Sequence, residues 1–285
     1  MEEDKKMKKI AITGASGLVG SRIVELLSDT FEFIPLTSKE IDITNADSVH
    51  KALSPLSFDL LLHLAAYTNV AGAENEKEKA YTINETGTKN LLDVVSFAKK
   101  QFVYISTDFV FDGTKPPYVE TSAPHPISVY GASKYAGEKV VGTEGMIVRI
   151  SYPYRGTFEK KKDIVRALKS LLELGKPISM IKDSLMVPTF IDDIAMGLGY
   201  LMNNYSNETF HLVGGDALSP FALAQAIAEA FHLDASLIGK TTYDEYYKDK
   251  AKGPRYSDIR SDKNTFYPMH TFEEGLSIIK KQNII

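Results

Sequence analysis

Tyr130 and Lys134 stand four residues apart in Val129-Tyr130-Gly131-Ala132-Ser133-Lys134. On a helix such an i, i+4 pair shares a face, which sets the ammonium beneath the phenol. A free tyrosine titrates near ~10. A fixed positive charge close by favours the phenolate and makes the side chain a usable acid or base near neutral pH. The hydroxyls of Ser106 and Thr107 follow a strand-like Phe102-Val103-Tyr104-Ile105 and could supply a third group. Three such groups around a carbonyl oxygen suit hydride transfer. The spacing alone is common by chance, and a solvated helix face is its ordinary meaning, so the surrounding elements must decide.

Near the N-terminus, Lys9-Ile10-Ala11-Ile12-Thr13 runs into Gly14-Ala15-Ser16-Gly17-Leu18-Val19-Gly20, followed by the amphipathic Ser21-Arg22-Ile23-Val24-Glu25-Leu26-Leu27. Strand, glycine turn and helix make the first unit of a dinucleotide fold. Glycines permit the tight turn and close backbone approach, and the helix start offers free N–H groups to a pyrophosphate. Gly14, Ser16, Gly17, Leu18, Val19 and Gly20 are therefore candidate cofactor residues. The pattern predicts strands at 8–13, 32–36, 59–64, 102–106, 145–150 and 209–213. Helices are expected at 18–29, 46–53, 75–80, 84–99, 128–141, 161–174, 190–203 and 219–231. Asn45 and Ser219-Pro220 supply helix-start signals. Alternation of this kind gives an α/β fold, a Rossmann-type doubly wound parallel sheet with a smaller α/β C-terminal substrate lobe. The dinucleotide domain is expected over residues 1–155. Residues 156–176 and 214–285 would form the substrate lobe, with 177–213 returning to the main sheet.

Taken together, the glycine turn and the Tyr130/Lys134 pair resemble the extended short-chain dehydrogenase/reductase superfamily, and more narrowly the dTDP-4-dehydrorhamnose reductase family. That family's S-T-D-Y-V-F-D-G segment is similar to Ser106-Thr107-Asp108-Phe109-Val110-Phe111-Asp112-Gly113. Glu120 and Pro126 follow, then Val129-Tyr130-Gly131 with Ser133, Lys134, Gly137 and Glu138. Leu64-Ala65-Ala66-Tyr67-Thr68-Asn69-Val70 looks like its A-A-Y-T-x-V stretch, Asn84 to Leu91 like its N-x-x-G helix, and Arg149-Ile150-Ser151-Tyr152-Pro153-Tyr154 like its R-T-S-W-V-Y segment. Tyr152 stands where the family often has Trp, at a position expected near the sugar, so the departure bears on substrate identity.

The resemblance implies hydride delivery to a keto carbon of a deoxysugar carried on a nucleotide. Tyr130 would protonate the alkoxide. Lys134 would lower the Tyr pKa and hold the nicotinamide ribose, and Thr107 would hydrogen-bond the carbonyl oxygen. Ala65, Ala66 and Tyr67 would touch the cofactor; Ser106, Asp108, Val110 and Tyr152 would face the substrate. A carboxylate after the second strand selects NAD, whereas this chain offers Leu36-Thr37-Ser38-Lys39-Glu40. That favours NADP(H), with Ser38 and Lys39 as phosphate contacts and NAD(H) as the alternative. Asp42 and Ile43 would bracket the adenine, Asp42 having helix capping as its other reading. Because a diphosphate needs a cation, Arg255 is a candidate ligand. A related keto reductase or epimerase is the second reading. A third is a non-catalytic NADP-binding subunit similar to the methionine adenosyltransferase beta subunit. The superfamily resemblance also allows a homodimer through the helices at 84–99 and 128–141.

Composition sets the remaining limits. The chain has 285 residues, 44% hydrophobic and 25% charged, enough for a sizeable core. Its net charge of −4 gives no electrostatic case for nucleic acid or anionic membranes. Without cysteine there is neither disulfide nor thiolate chemistry. The six histidines, at 50, 63, 125, 211, 232 and 270, show no metal-ligand spacing, so no metal is expected, and His63 and His211 read as satisfied core or rim groups. Asp192-Asp193 reads as a helix-start carboxylate pair and the run Glu74 to Lys79 as a solvated face. Residues 1–9 lack the apolar core of a signal peptide, and no apolar run approaches the ~18 residues of a membrane span. A solvated N-terminal tail and a cytoplasmic location are the expectations.

Overall fold

Side-chain alternation along the first strand divides the core into two layers. In β1 (Lys8–Thr13) Ile10 and Ile12 join one buried cluster and Ala11 joins another. In β4 (Gln101–Thr107) Val103 and Ile105 go to the first cluster, Phe102 and Tyr104 to the second. Period-two alternation with both sets apolar is what a sheet covered on both faces demands. A computed structural model describes residues 7–282. The expected N-terminal tail falls mostly outside the described residues, and Lys8 and Lys9 already belong to β1.

Six parallel strands form the sheet in the order β2-β1-β3-β4-β5-β9, with β2 Phe31–Leu36, β3 Leu60–His63, β5 Met146–Ile150 and β9 Thr209–His211. Helices α1 (Leu18–Leu27) and α8 (Ile191–Asn203) cover one face. Helices α2 (Ala46–Leu53), α5 (Gly87–Phe97) and α6 (Val129–Val141) lie on the side of the second cluster. The chain leaves β1 toward β2 and returns on its other side to β3, so the crossover sense reverses between β1 and β3. Crevices at such a reversal, beyond the carboxyl ends of the strands, are where these sheets bind ligands.

All six expected strands and all eight expected helices are present, with ends shifted by a few residues. The expected helices at 75–80 and 84–99 are continuous: α4 (Lys77–Tyr81) passes through a π turn at Thr82–Thr86 into α5. A short helix α3 (Val70–Asn75) precedes them. The C-terminal lobe holds elements the periodicity did not reveal. These are the strand pieces β6 (Pro153–Tyr154), β7 (Ile178–Ile181), β8 (Thr189–Phe190) and β10 (Ile238–Thr241), and helices α10 (Tyr243–Tyr246) and α11 (Phe272–Lys281). All of these but α10, together with α7 (Ile164–Glu173) and α9 (Pro220–Phe231), enclose a third cluster that includes Tyr154, Leu168, Leu223, Ile227, Phe272 and Leu276. β7 pairs with β10 in this lobe, and α8 and β9 are the parts of 177–213 that return to the main sheet.

Asp192 and Asp193 stand in the first turn of α8, as expected, but neither caps it. Helix α8 has Phe190 at its N-cap and no side-chain cap. Asp192 instead takes both forks of Arg22 from α1 at 2.7 Å, and Asp193 accepts from the His270 amide at 2.9 Å. Their side chains reach neighbouring elements, where an ion pair competes successfully with the local helix end. Glu74 is more than a solvated residue, since its carboxylate accepts the Val129 amide at the start of α6.

One ion pair binds α6 to the sheet. Arg149 of β5 donates from Nε to Glu138 Oε1 at 2.8 Å and from Nη2 to Oε2 at 2.7 Å, with both side chains at most 5% exposed. Removing one partner of such a pair strands a buried charge, at a cost of about 3–5 kcal/mol. Glu138→Ala is therefore expected to lower unfolding stability by about that amount in urea titration. A loss under ~1 kcal/mol would show the pair to be dispensable.

Candidate active site

The glycine turn is shaped by contact with the segment just after β3. Gly14 has φ +72°, and a Cβ there would lie 2.9 Å from the Ala65 amide nitrogen, so no other residue fits without moving backbone. Helix α1 then starts at Gly17, which offers no side-chain cap. Its first N–H groups stay available for an anion, aided by the helix dipole.

Across the crevice, Ser106 and Thr107 end β4, and a single 3-10 turn at Asp108–Val110 swings the chain away. Helix α6 packs directly on that turn: a Cβ at Gly131 would lie 2.1 Å from the Phe109 carbonyl oxygen. Ser128 caps α6 by accepting from the Gly131 amide at 3.1 Å. Tyr130 and Lys134 thus project from the first two turns of α6 into one cleft of about 610 Å³. The π turn aims Asn84 at the back of this helix, where it donates to Ser133 Oγ at 2.9 Å and the Tyr67 carbonyl at 3.1 Å. Such one-turn bulges commonly accompany functional sites.

The electrostatics correct one expectation. The apolar surroundings push the Tyr130 phenol up to about 12, with the Thr107 hydroxyl opposing. Desolvation brings the Lys134 ammonium down to about 7, against the pull of Glu138. Lys134 Nζ donates to the Ile105 carbonyl at 2.7 Å and lies 4.0 Å over the Tyr104 ring. Burial thus dominates, with the Asp108 carboxylate adding to it, and the phenol is held neutral instead of being drawn toward phenolate. Asp108, 1% exposed, accepts from Thr107 Oγ1 at 3.1 Å and from Ser257 Oγ, and burial pushes its carboxyl up to about 6. Ser106 Oγ is buried without a hydrogen-bond partner.

The cleft gathers most of the residues singled out in the sequence. Gly14, Ser16, Gly17, Leu18, Val19 and Gly20 form one wall, and Ala65 and Ala66 continue it. Ser106, Thr107, Asp108, Tyr130, Lys134 and Tyr152 line the other. Tyr152 holds φ +37°, rare for a side-chain-bearing residue, and such strain tends to gather at functional sites. Phe109, not anticipated, sits between Tyr130 and Tyr152 with ring centroids 5.5 and 6.1 Å away.

Other expected residues lie elsewhere. Val110 is fully buried with Phe111, Tyr118, Val187, Val213 and Ile259, because the 3-10 turn sends Phe109 to the cleft in its place. Arg255 donates to the Asp183 carbonyl at 3.1 Å and pairs with the carboxylates of Asp183 and Asp244, outside the cleft lining. Tyr67 is tied by its hydroxyl to Glu76 at 2.6 Å. Asp42 closes a local turn by accepting from the Thr44 amide at 3.0 Å, and Asn45 is the cap of α2. Ile43 packs beneath Gly87. Ser38 and Lys39 are exposed just after β2, and Glu40 is turned back onto the Thr37 amide at 2.6 Å. His63 and His211 are buried and hydrogen-bonded. Desolvation lowers His63 to about 3 and His211 to about 4, so both are neutral near pH 7. Among the described residues no group of three or more His, Asp or Glu is placed to hold a metal, and no helix is long and apolar enough to cross a membrane.

Known proteins resemble this chain in sequence and fold. A probable low-salt glycan biosynthesis reductase, Agl14, from Haloferax volcanii is 31% identical over 266 residues, covering 86% of this chain and 87% of the relative. A dTDP-4-dehydrorhamnose reductase of Aggregatibacter actinomycetemcomitans is 31% identical over 257 residues, covering 84% and 86%. The crystal structure of dTDP-4-dehydrorhamnose reductase from Bacillus anthracis in complex with NADP superposes with a TM-score of 0.91 at 31% identity, over 97% of this chain and 100% of that one. The model of the RmlD substrate binding domain matches residues 7–282, the full described length. With its glycine turn, its serine-threonine-aspartate strand end and its tyrosine-lysine helix in one cleft, the chain belongs to the RmlD substrate binding domain family.

Proposed function

We propose that this chain is an NADPH-dependent reductase of a nucleotide-linked 4-keto-6-deoxy sugar, of the dTDP-4-dehydrorhamnose reductase type. The observation that carries the reading is the convergence of Thr107, Tyr130 and Lys134 on one cleft with the uncapped start of α1. The relatives named dTDP-4-dehydrorhamnose reductase, one of them bound to NADP, support the substrate class and the cofactor. The glycine cradle that a Cβ would fill and the free N–H groups of α1 fit a dinucleotide. NADPH, when bound, supplies the hydride.

The protein's own groups do the rest. A ketone reduction needs an acid at the oxygen, and a phenol held near 12 stays protonated throughout the neutral range. Tyr130 donates that proton as negative charge develops on the oxygen. Lys134, fixed by the Ile105 carbonyl, brings a positive charge into the same cleft and steadies the phenolate left behind. The unpartnered hydroxyl of Ser106 offers a donor at the same strand end, where the Thr107 hydroxyl is held by donating to Asp108. Phe109 and Tyr152 form an apolar wall that excludes water and strengthens these fields. The complete set of reacting groups supports this reading over a non-catalytic cofactor-binding subunit, and net NADPH oxidation separates a reductase from an epimerase.

Three outcomes are expected. Tyr130→Phe loses about 10²–10⁴-fold in kcat while still binding NADPH, since one general acid contributes that much; near-normal turnover would refute the assignment. In the free enzyme, kcat/KM falls as pH rises through about 7, where Lys134 loses its proton, while Tyr130 remains protonated. A flat profile to pH 9 would dismiss the lysine's charge. At the end of β2, Lys39→Glu raises KM for NADPH roughly tenfold and leaves that for NADH unchanged, because the carboxylate repels a 2′-phosphate. Equal effects on both cofactors would remove Lys39 from phosphate recognition.

A further inference from the structure

Two diphosphates must share the cleft if the substrate is a nucleotide-linked sugar, and the inference that follows rests on that reading. The uncapped N-terminus of α1 and its glycine turn provide for one of them, the cofactor's. The second needs a cation. Arg255, the residue sequence reasoning nominated, is committed to Asp183 and Asp244. The cleft lining contains three cations, Lys134, Lys161 and Lys162. Lys134 Nζ is bound to the Ile105 carbonyl at 2.7 Å, and Lys162 Nζ to Ser170 Oγ at 2.6 Å. Among the described residues, the Lys161 ammonium has no hydrogen-bond or ion-pair partner.

The segment that carries Lys161 is held in place by other side chains. Arg166 of α7 donates from Nη2 to the Lys161 carbonyl at 2.7 Å and from Nε to Asp163 Oδ2 at 2.8 Å, and also reaches the Phe158 carbonyl. Asp163, 7% exposed, caps α7 and accepts from the Arg155 amide at 3.2 Å. The Arg155 guanidinium stands over the Phe158 ring at 5.6 Å. One guanidinium therefore ties down the main chain at two points, while Lys161 remains exposed at the mouth of the cleft. In a chain of net charge −4, a cluster of three consecutive lysines, Lys160 to Lys162, is a local reversal of sign at the entrance to the site.

We propose that Lys161 is a substrate-binding residue that takes the diphosphate of the nucleotide-linked sugar, while the glycine turn takes the cofactor's. The test is isothermal titration calorimetry on the full chain saturated with NADPH, with thymidine diphosphate, uridine diphosphate and the matching monophosphates as probes. Lys161→Ala is expected to weaken the preferred diphosphate about tenfold and its monophosphate much less, with Lys161→Arg restoring most of the difference. NADPH binding, followed by its fluorescence, should be unchanged, and so should the melting temperature. In turnover, KM for the sugar nucleotide rises with kcat retained. Equal loss for diphosphate and monophosphate, no loss, or a loss confined to NADPH would each overturn the assignment. If the wild-type chain binds neither diphosphate, the nucleotide-sugar reading itself falls. If it binds one and the substitution leaves that binding intact, only the role of Lys161 falls.

Discussion

The buried pair between Glu138 and Arg149 is the constraint on which the site depends. Helix α6 carries the tyrosine and the lysine, and β5 runs beside the strand that carries the threonine. A two-pronged ion pair at 2.7–2.8 Å fixes the helix to the sheet in rotation as well as distance. The same guanidinium approaches His211 Nε2 at 3.3 Å. His211 in turn meets Glu120, whose carboxylate accepts its amide at 3.0 Å and that of Asp262, also at 3.0 Å. The buried charges thus continue from α6 through two strands to the loop before α6 and to the late C-terminal segment.

Close packing completes what the ion pair begins. Bare backbone at Gly131 lets α6 rest on the turn after β4, which brings Thr107 and Tyr130 to the same side of the cleft. The π turn brings Asn84 against Ser133 and so steadies the middle of α6. In this setting desolvation outweighs charge pairing. The phenol is kept neutral and the ammonium is weakened.

Much of this was legible in the chain because its signals are local. Strand β1, the glycine turn and α1 are consecutive, and a positive-φ glycine followed by an uncapped helix start is written within about ten residues. Tyr130 and Lys134 share a helix face by spacing alone. Less was visible where position depends on residues far apart. The 3-10 turn after β4 puts Phe109 in the cleft where Val110 was expected, a result set by packing of Val110 against Val187, Val213 and Ile259. Arg255 found partners at Asp183 and Asp244, which no neighbouring residue announced. Short strands such as β6 and β8, two residues each, carry no periodic pattern at all.

By itself, then, the amino-acid order determined the alternation of strands and helices, the glycine turn and the tyrosine-lysine pair on one helix face. Each is governed by backbone preference or by spacing within a single element. Tertiary structure alone decided the electrostatic surroundings of those groups, the partners of Arg255 and, among the described residues, the one uncommitted ammonium of the cleft lining. Desolvation, ion-pair choice and exposure are properties of an environment assembled from distant segments, and spacing along the chain does not encode them.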